Sequence, residues 1–100
     1  MDLAEPDLDD VPLSTLMQAL ADEVRLQIVG ILAGEGEQVC GSFDLAVSKA
    51  TRSHHLRVLR EAGVTRTRVE GARRHVSLRR DDLDARFPGL LDALLAASAR

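Results

Sequence analysis

At Gly63 the hydrophobic period of this chain changes, and that change restricts the fold more than any other feature. Before it, apolar residues recur at helical spacing. Leu13, Leu16, Met17 and Leu20 form one stripe, and Val24, Ile28, Ile31 and Leu32 form another. After it, VTRTRVE and RRHVSL are two β-rich runs whose apolar members are Val64, Val69, Val76 and Leu78. The turn signal Glu70-Gly71-Ala72 joins them, which reads as a hairpin. Helical spacing then returns with Phe87, Leu90, Leu91, Leu94 and Leu95, in a last segment opened by Asp81 or Asp82 and interrupted by Pro88 and Gly89. The expected fold is mainly α with a two-stranded β-hairpin.

End signals divide the helical part. Asp22 is a good N-cap for the second helix, with Glu23 in its first turn, and the glycines of GEG (Gly34 and Gly36) stop it. Ser48 caps a helix over 49–62 that ends at Gly63. Between them, residues 37–47 (EQVCGSFDLAV) carry a weak pattern, and we expect a short helix or turn around 42–46. Residues 1–11 are acidic, contain Pro6 and lack periodicity, so they are expected to form a flexible tail. Residues 12–97 would then make one domain, because 100 residues suffice for a single modest core. With aromatics at only 2%, that core must be built from Leu, Val, Ile and Ala, which suits packed helices.

The net charge of −3 conceals a sharp division. Residues 1–48 hold one basic residue (Arg25) against ten acidic ones, residues 49–80 hold ten against two, and residues 81–100 hold two against four. Local charges are therefore −9, +8 and −2. A domain this small should present one strongly positive face, a candidate phosphate-binding surface. The competing expectation is that the acidic half neutralises it in the fold. Enzyme chemistry has little support: there is no Gly-rich phosphate loop, and Ser53 beside His54 and His55 has neither an orienting carboxylate nor an oxyanion donor in view. No apolar run matches a membrane span, the N-terminus has no signal pattern, and the single cysteine fits a reducing cytoplasm.

On a helix over 49–62, positions 52, 55, 56 and 59 share one side, and 50, 54, 57 and 61 lie opposite. Leu56 and Leu59 should face the core with His55 packed beside them, while His54 and Arg57 face solvent. Lys49, Thr51 and Ser53 add polar groups near the N-terminus. Such a helix suits a DNA major groove, and Arg66, Arg68, Arg73 and Arg74 of hairpin 65–78 suit a minor groove or flanking phosphates. Arg52 stands on the apolar side, from which it can snorkel towards a phosphate or an acidic neighbour.

Two segments, ADEVRLQIVGIL (21–32) and SKATRSHHLRVLREAGVTRTRVEGARRHVSL (48–78), resemble the ArsR/SmtB family of bacterial transcriptional repressors. The matching residues include Ser48, Thr51, Ser53, His55, Leu56, Leu59, Arg60, Glu61, Ala62 and Gly63. The resemblance implies a winged helix-turn-helix and a sequence-specific DNA-binding repressor in the cytoplasm. It also implies a homodimer through the first and last helices, with Leu13, Leu16, Leu20, Leu90, Leu91, Leu94 and Leu95 at the interface, addressing an inverted-repeat operator. Many such proteins release DNA when a metal binds, through paired cysteines or through His and acidic ligands of the last helix. This chain departs from both patterns: Cys40 is alone, and the last helix has Asp92 but no histidine. An unconventional nickel or zinc site from Cys40, His54, His55 and His75 is one alternative, and a redox-reactive Cys40 is another. A winged-helix interaction module under a partner protein's control is the third.

Overall fold

The computed structural model describes residues 2–99. Helices α1 (Leu13–Leu20) and α2 (Glu23–Glu35) are followed by a short strand β1 (Gln38–Val39). Helix α3 (Lys49–Glu61), strands β2 (Thr65–Glu70) and β3 (Arg73–Leu78), and helices α4 (Arg80–Arg86) and α5 (Leu90–Ser98) complete the chain. The strands form an antiparallel sheet in the order β1-β3-β2. This is the mainly α arrangement with a β-hairpin that the change of period suggests, and the winged helix-turn-helix that the resemblance implies.

The aliphatic stripes meet in one core. Leu16 and Leu20 of α1, Ile28, Val29 and Leu32 of α2, and Leu56 and Leu59 of α3 are buried against Val64 and Val76 of the hairpin. Leu83, Phe87 and Leu91 close it from α4 and α5. The helical pair α4 and α5 breaks at Phe87-Pro88-Gly89, where Gly89 takes φ 79°. In the hairpin, Glu70 pairs with Arg73 across the two-residue turn Gly71-Ala72. Gly71 has φ 60°, the positive value that the first central position of a type II′ turn requires.

Three features differ from the sequence reading. The sheet has a third strand, because Gln38 and Val39 pair with Val76 and His75. Two residues carry no period, so this strand left no pattern to read. Residues 42–46 form no helix: a 3-10 turn spans Cys40–Ser42, and the chain then runs irregularly to Ser48 with Phe43 buried as its anchor. A segment this short, containing Gly41 and β-branched Val47, lacks the length to nucleate an α-helix.

Residues 2–11 of the acidic segment expected to be a flexible tail lie against the domain, and Met1 lies outside the described residues. Leu8 and Val11 are buried, a 3-10 turn spans Leu8–Asp10, and Leu3 N–H donates to the Thr67 carbonyl at 2.9 Å. An isolated bridge between Asp2 and Arg68 extends the pairing along β2, the sheet edge that would otherwise be open. Two isolated apolar anchors are too few to produce a hydrophobic period.

Gly63 joins these parts. It follows α3 in a Schellman turn, with Gly63 N–H donating to the Arg60 carbonyl and Val64 N–H to the Leu59 carbonyl. Its φ is 81°, and a Cβ there would sit 2.6 Å from Leu8 Cδ2. Gly63→Ala therefore combines left-handed backbone strain with a clash against the docked N-terminal segment. We expect a loss of about 1–3 kcal/mol, read as a lower midpoint in urea with an unchanged slope; a midpoint at the wild-type position would contradict this packing.

Candidate nucleic-acid interface

Ser48 starts α3, its Oγ accepting from Thr51 N–H at 3.2 Å and donating to Thr51 Oγ1 at 3.0 Å. The helix buries His55, Leu56 and Leu59 and leaves Lys49, Ala50, Thr51, Ser53, His54 and Arg57 exposed. Its inner and outer faces are those the 100° periodicity predicts. His55 is 8% exposed and packs inward, while His54 shares the outer face with Arg57, their side chains 3.5 Å apart.

The orientation of α3 rests on a joint that sequence patterning did not reveal. Arg25 Nε donates to the Ala19 carbonyl at 2.5 Å, and Nη2 donates to the Gln18 carbonyl at 3.3 Å. Its Nη1 lies 3.2 Å from His55 Nδ1. A guanidinium has only donors, so this contact makes Nδ1 the acceptor and assigns the ring proton to Nε2. One side chain thus ties the C-terminal carbonyls of α1 to the buried face of α3. Asp22, the N-cap of α2, accepts from Arg25 N–H at 3.0 Å and lies 3.9 Å from His55 Nδ1. That backbone hydrogen bond, more than the nearby Arg25 charge, holds the Asp22 carboxyl below its usual range against a desolvation cost.

The basic residues fall into two groups. Arg66 is ion-paired with Glu5 and Asp82, and Arg68 with Glu37 and Glu70. Arg79 pairs with Asp82, and Arg80 with Asp84 and Asp92. The hydrogen bond from Arg68 also holds the Glu70 carboxyl low. By contrast, Lys49, Arg52, Arg57, Arg60, Arg73 and Arg74 form no ion pair with a carboxylate among the described residues. All six line one groove between α3 and the tip of the β2–β3 hairpin, with Ser53, His54 and Thr67. The acidic half of the chain neutralises part of the positive segment but leaves this groove charged.

Of the residues named as DNA contacts from sequence, Lys49, Arg52, Ser53, His54, Arg57, Arg73 and Arg74 converge on the groove, and Thr51 lies beside them at the start of α3. Arg66 and Arg68 do not. Their register opposite Ser77 and His75 sets them on the other face of the sheet from groove-lining Thr67, among acidic partners. The sequence reading missed Arg60, although the spacing 49, 53, 56, 60 marks a row along one flank of the helix.

Among the residues named for a dimer interface, Leu16, Leu20 and Leu91 belong to the protomer's own core. Leu13 is 52% exposed, and Leu90, Leu94 and Leu95 are half-buried. Met17, 39% exposed, joins this outer set. The four candidate metal ligands do not converge as a group of three among the described residues, although the His54 and His55 rings are neighbours with centroids 5.6 Å apart. Cys40 sits in the groove, its thiol pushed up by burial against the pull of Arg74, Arg52 and Arg60. His75 lies 3.7 Å from Glu37 and 3.9 Å from Glu70, carboxylates that both also bind Arg68.

Residues 22–66 match the family model described as bacterial regulatory protein, arsR family. The chain is 38% identical over 89 residues to "Uncharacterized HTH-type transcriptional regulator YceK" of Bacillus subtilis (strain 168), covering 86% of this chain and 89% of that protein. It is 39% identical over 79 residues to the "Cadmium resistance transcriptional regulatory protein CadC homolog" of Staphylococcus aureus, covering 77% of this chain and 64% of that one. A Methanocaldococcus jannaschii protein, "Uncharacterized HTH-type transcriptional regulator MJ1325", is 40% identical over 58 residues, which are 56% of this chain and 65% of that protein.

The Asp22–Arg25–His55 joint carries a pH signature. Asp22→Asn keeps an N-cap acceptor but removes the charge. The folded carboxyl titrates below its ordinary value of 3.8. The wild type's advantage over Asp22→Asn should therefore be full above that value and fade as the pH falls through the lower folded one. Urea melts of both proteins across the acid range measure this, and a difference independent of pH would contradict it.

Proposed function

Because this chain belongs to the arsR family of bacterial regulatory proteins, and is accordingly a DNA-binding transcriptional regulator and not an enzyme, we propose that it is a homodimeric repressor of an inverted-repeat operator. In this reading α3 enters the major groove and the β2–β3 hairpin is the wing. One observation carries it: six cations without a carboxylate partner among the described residues line a single groove between that helix and that wing. Backbone phosphates are the natural counter-charge for such a surface, and displacement of condensed counterions would supply much of the affinity. Bound over a promoter, the dimer would exclude polymerase.

The dimer would form through α1 and α5. Leu16 and Leu20 of α1 meet Leu90, Leu91 and Leu94 of α5 around a small apolar cleft. Leu13 and Met17 carry the apolar surface of α1 out to solvent. A second copy covering Leu13, Met17 and the outer leucines of α5 would bury that surface and set two α3 helices for two half-sites.

The Staphylococcus aureus relative has cadmium resistance in its name, which raises the question of release by a metal. The donors of this chain do not fit one. No group of three His, Cys, Asp or Glu side chains converges among the described residues. Each candidate also adjoins a guanidinium: His54 beside Arg57, His55 beside Arg25, His75 beside carboxylates taken by Arg68, and Cys40 amid Arg52, Arg60 and Arg74. A cation would be repelled at His54, His55 and Cys40, and at His75 it would have to compete with Arg68 for the two carboxylates.

Two measurements test the proposal. Duplex DNA from upstream of the protein's own gene, titrated by fluorescence anisotropy, should bind with sequence preference and weaken linearly in log–log salt. Equal affinity for scrambled duplexes at every salt concentration would contradict it. Leu13→Glu should convert the dimer to a monomer in sedimentation experiments and weaken operator binding, while leaving the protomer's melt close to wild type because Leu13 is outside the core. Unchanged sedimentation would remove α1 from the interface.

A further inference from the structure

One wall of the basic groove belongs to α3 and the other to the hairpin tip, and residues 62–64 alone connect these two elements along the chain. A link that short, turning at Gly63, is a hinge unless something spans it. The N-terminal segment spans it. Leu8 fills the space over Gly63 that a Cβ would take. Leu3 N–H donates to the carbonyl of Thr67, a residue that also lines the groove. The segment therefore grips the corner and the wing strand at once.

Between those two anchors, residues 5 and 6 sit in a closed ring of polar contacts. Arg66 Nε donates to Glu5 Oε1 at 2.6 Å, and Arg66 Nη2 lies 3.6 Å from Asp82 Oδ2. The same Asp82 oxygen accepts from Arg79 Nε at 3.2 Å, and Arg79 Nη1 donates to the Pro6 carbonyl at 2.7 Å. Pro6 follows Glu5 in the chain, which closes the ring. Arg79 also holds the hinge, its N–H donating to the Val64 carbonyl at 3.0 Å.

We propose that residues 3–8 are a splint that fixes the wing at one angle to α3, with Glu5, Arg66, Arg79 and Asp82 as positioning residues for the groove. The inference rests on the DNA-binding reading and gives Arg66 a task other than phosphate contact. Two observations favour orientation over stability. The Arg66 and Asp82 side chains are 46% and 50% exposed, and ion pairs at such positions add little stability. Glu5 Oε2 is buried with no hydrogen-bond partner among the described residues, a desolvation cost set against the pair that Oε1 makes. The ring does supply direction. Guanidinium donors are fixed in a plane, so a guanidinium bound to two partners restricts rotation as well as distance. A wing free to pivot about residues 62–64 would vary the spacing between Arg52 and Arg60 on α3 and Arg73 and Arg74 on the hairpin. Ordering that groove at each encounter would then cost affinity.

The test uses the full chain and duplexes that the wild-type protein enriches from a random-sequence pool. Glu5→Ala and Asp10→Ala each remove one acid from the same segment, but Asp10 has no ion pair among the described residues. Charge alone makes both variants bind DNA more tightly. The splint instead predicts that Glu5→Ala binds about fivefold more weakly, while Asp10→Ala shows no loss. Arg66→Ala should weaken binding with the slope of log affinity against log salt unchanged, and adding Glu5→Ala to it should cost nothing further. In the free protein, residual dipolar couplings of residues 65–78 and 49–61 should fit one alignment frame in the wild type. In Glu5→Ala the hairpin should need its own frame, with α1, α2 and α3 still sharing theirs. The proposal is overturned if one frame persists in Glu5→Ala, if Glu5→Ala binds at least as tightly as wild type, or if Arg66→Ala flattens the slope by about 0.9, the mark of a phosphate contact. If the wild-type protein enriches no duplex, the DNA-binding reading fails, and the dipolar couplings alone decide whether the splint exists.

Discussion

The contact on which the rest depends is the Arg25 guanidinium in the joint between α1, α2 and α3. It spends its donors on two α1 carbonyls and on the buried imidazole of His55. These partners fix the rotation of α3 about its own axis. With His55, Leu56 and Leu59 held inward, helical geometry leaves Lys49, Ser53, His54 and Arg57 outward. A rotation of one residue's worth would carry Arg57 towards the core and remove the charged row from the groove. Losing the guanidinium would leave carbonyl and imidazole groups short of partners, a cost that falls on orientation as well as stability.

Charge is sorted around this scaffold. The chain is acidic overall, yet its acids are used locally. Glu5, Glu37, Glu70 and Asp82 bind Arg66 and Arg68 on the sheet face away from the groove. The N-terminal segment takes part through Glu5 and through the Pro6 carbonyl, which accepts from Arg79 at 2.7 Å. Surface ion pairs of this kind add little stability. Their effect here is to neutralise the cations on the far face of the sheet while six without an ion pair among the described residues remain in the α3–wing groove, so that a net charge of −3 coexists with a strongly positive face.

Much of the fold was legible because it follows from period. The stripes of α1, α2 and α5, the Ser48 cap, the Gly63 stop and the Glu70-Gly71-Ala72 turn are local signals, and each acts locally in the structure. What could not be read depends on partners distant in sequence. The two-residue strand β1 exists only because β3 offers it an edge. The 2–11 segment docks through two apolar side chains that have no neighbours to form a pattern. The site divided in the same way. His54 and His55 were separated by helical geometry alone, and so was the outward placement of Arg57. Which arginines are free was not legible, since Glu5 is 61 positions from Arg66. Leucine stripes likewise could not distinguish Leu16, Leu20 and Leu91, which face the protomer core, from Leu13, which faces solvent.

The central claim is that the α3–wing groove, and not the other positive residues of the sheet, is the surface that meets DNA. The most direct measurement is a backbone amide chemical-shift titration of the labelled protein with an enriched duplex. The account predicts that the largest shifts fall on residues 49–60 and 71–74, with residues 66 and 68 little changed. Shifts centred on the face that carries Arg66, Arg68 and His75, or spread evenly over the domain, would contradict it.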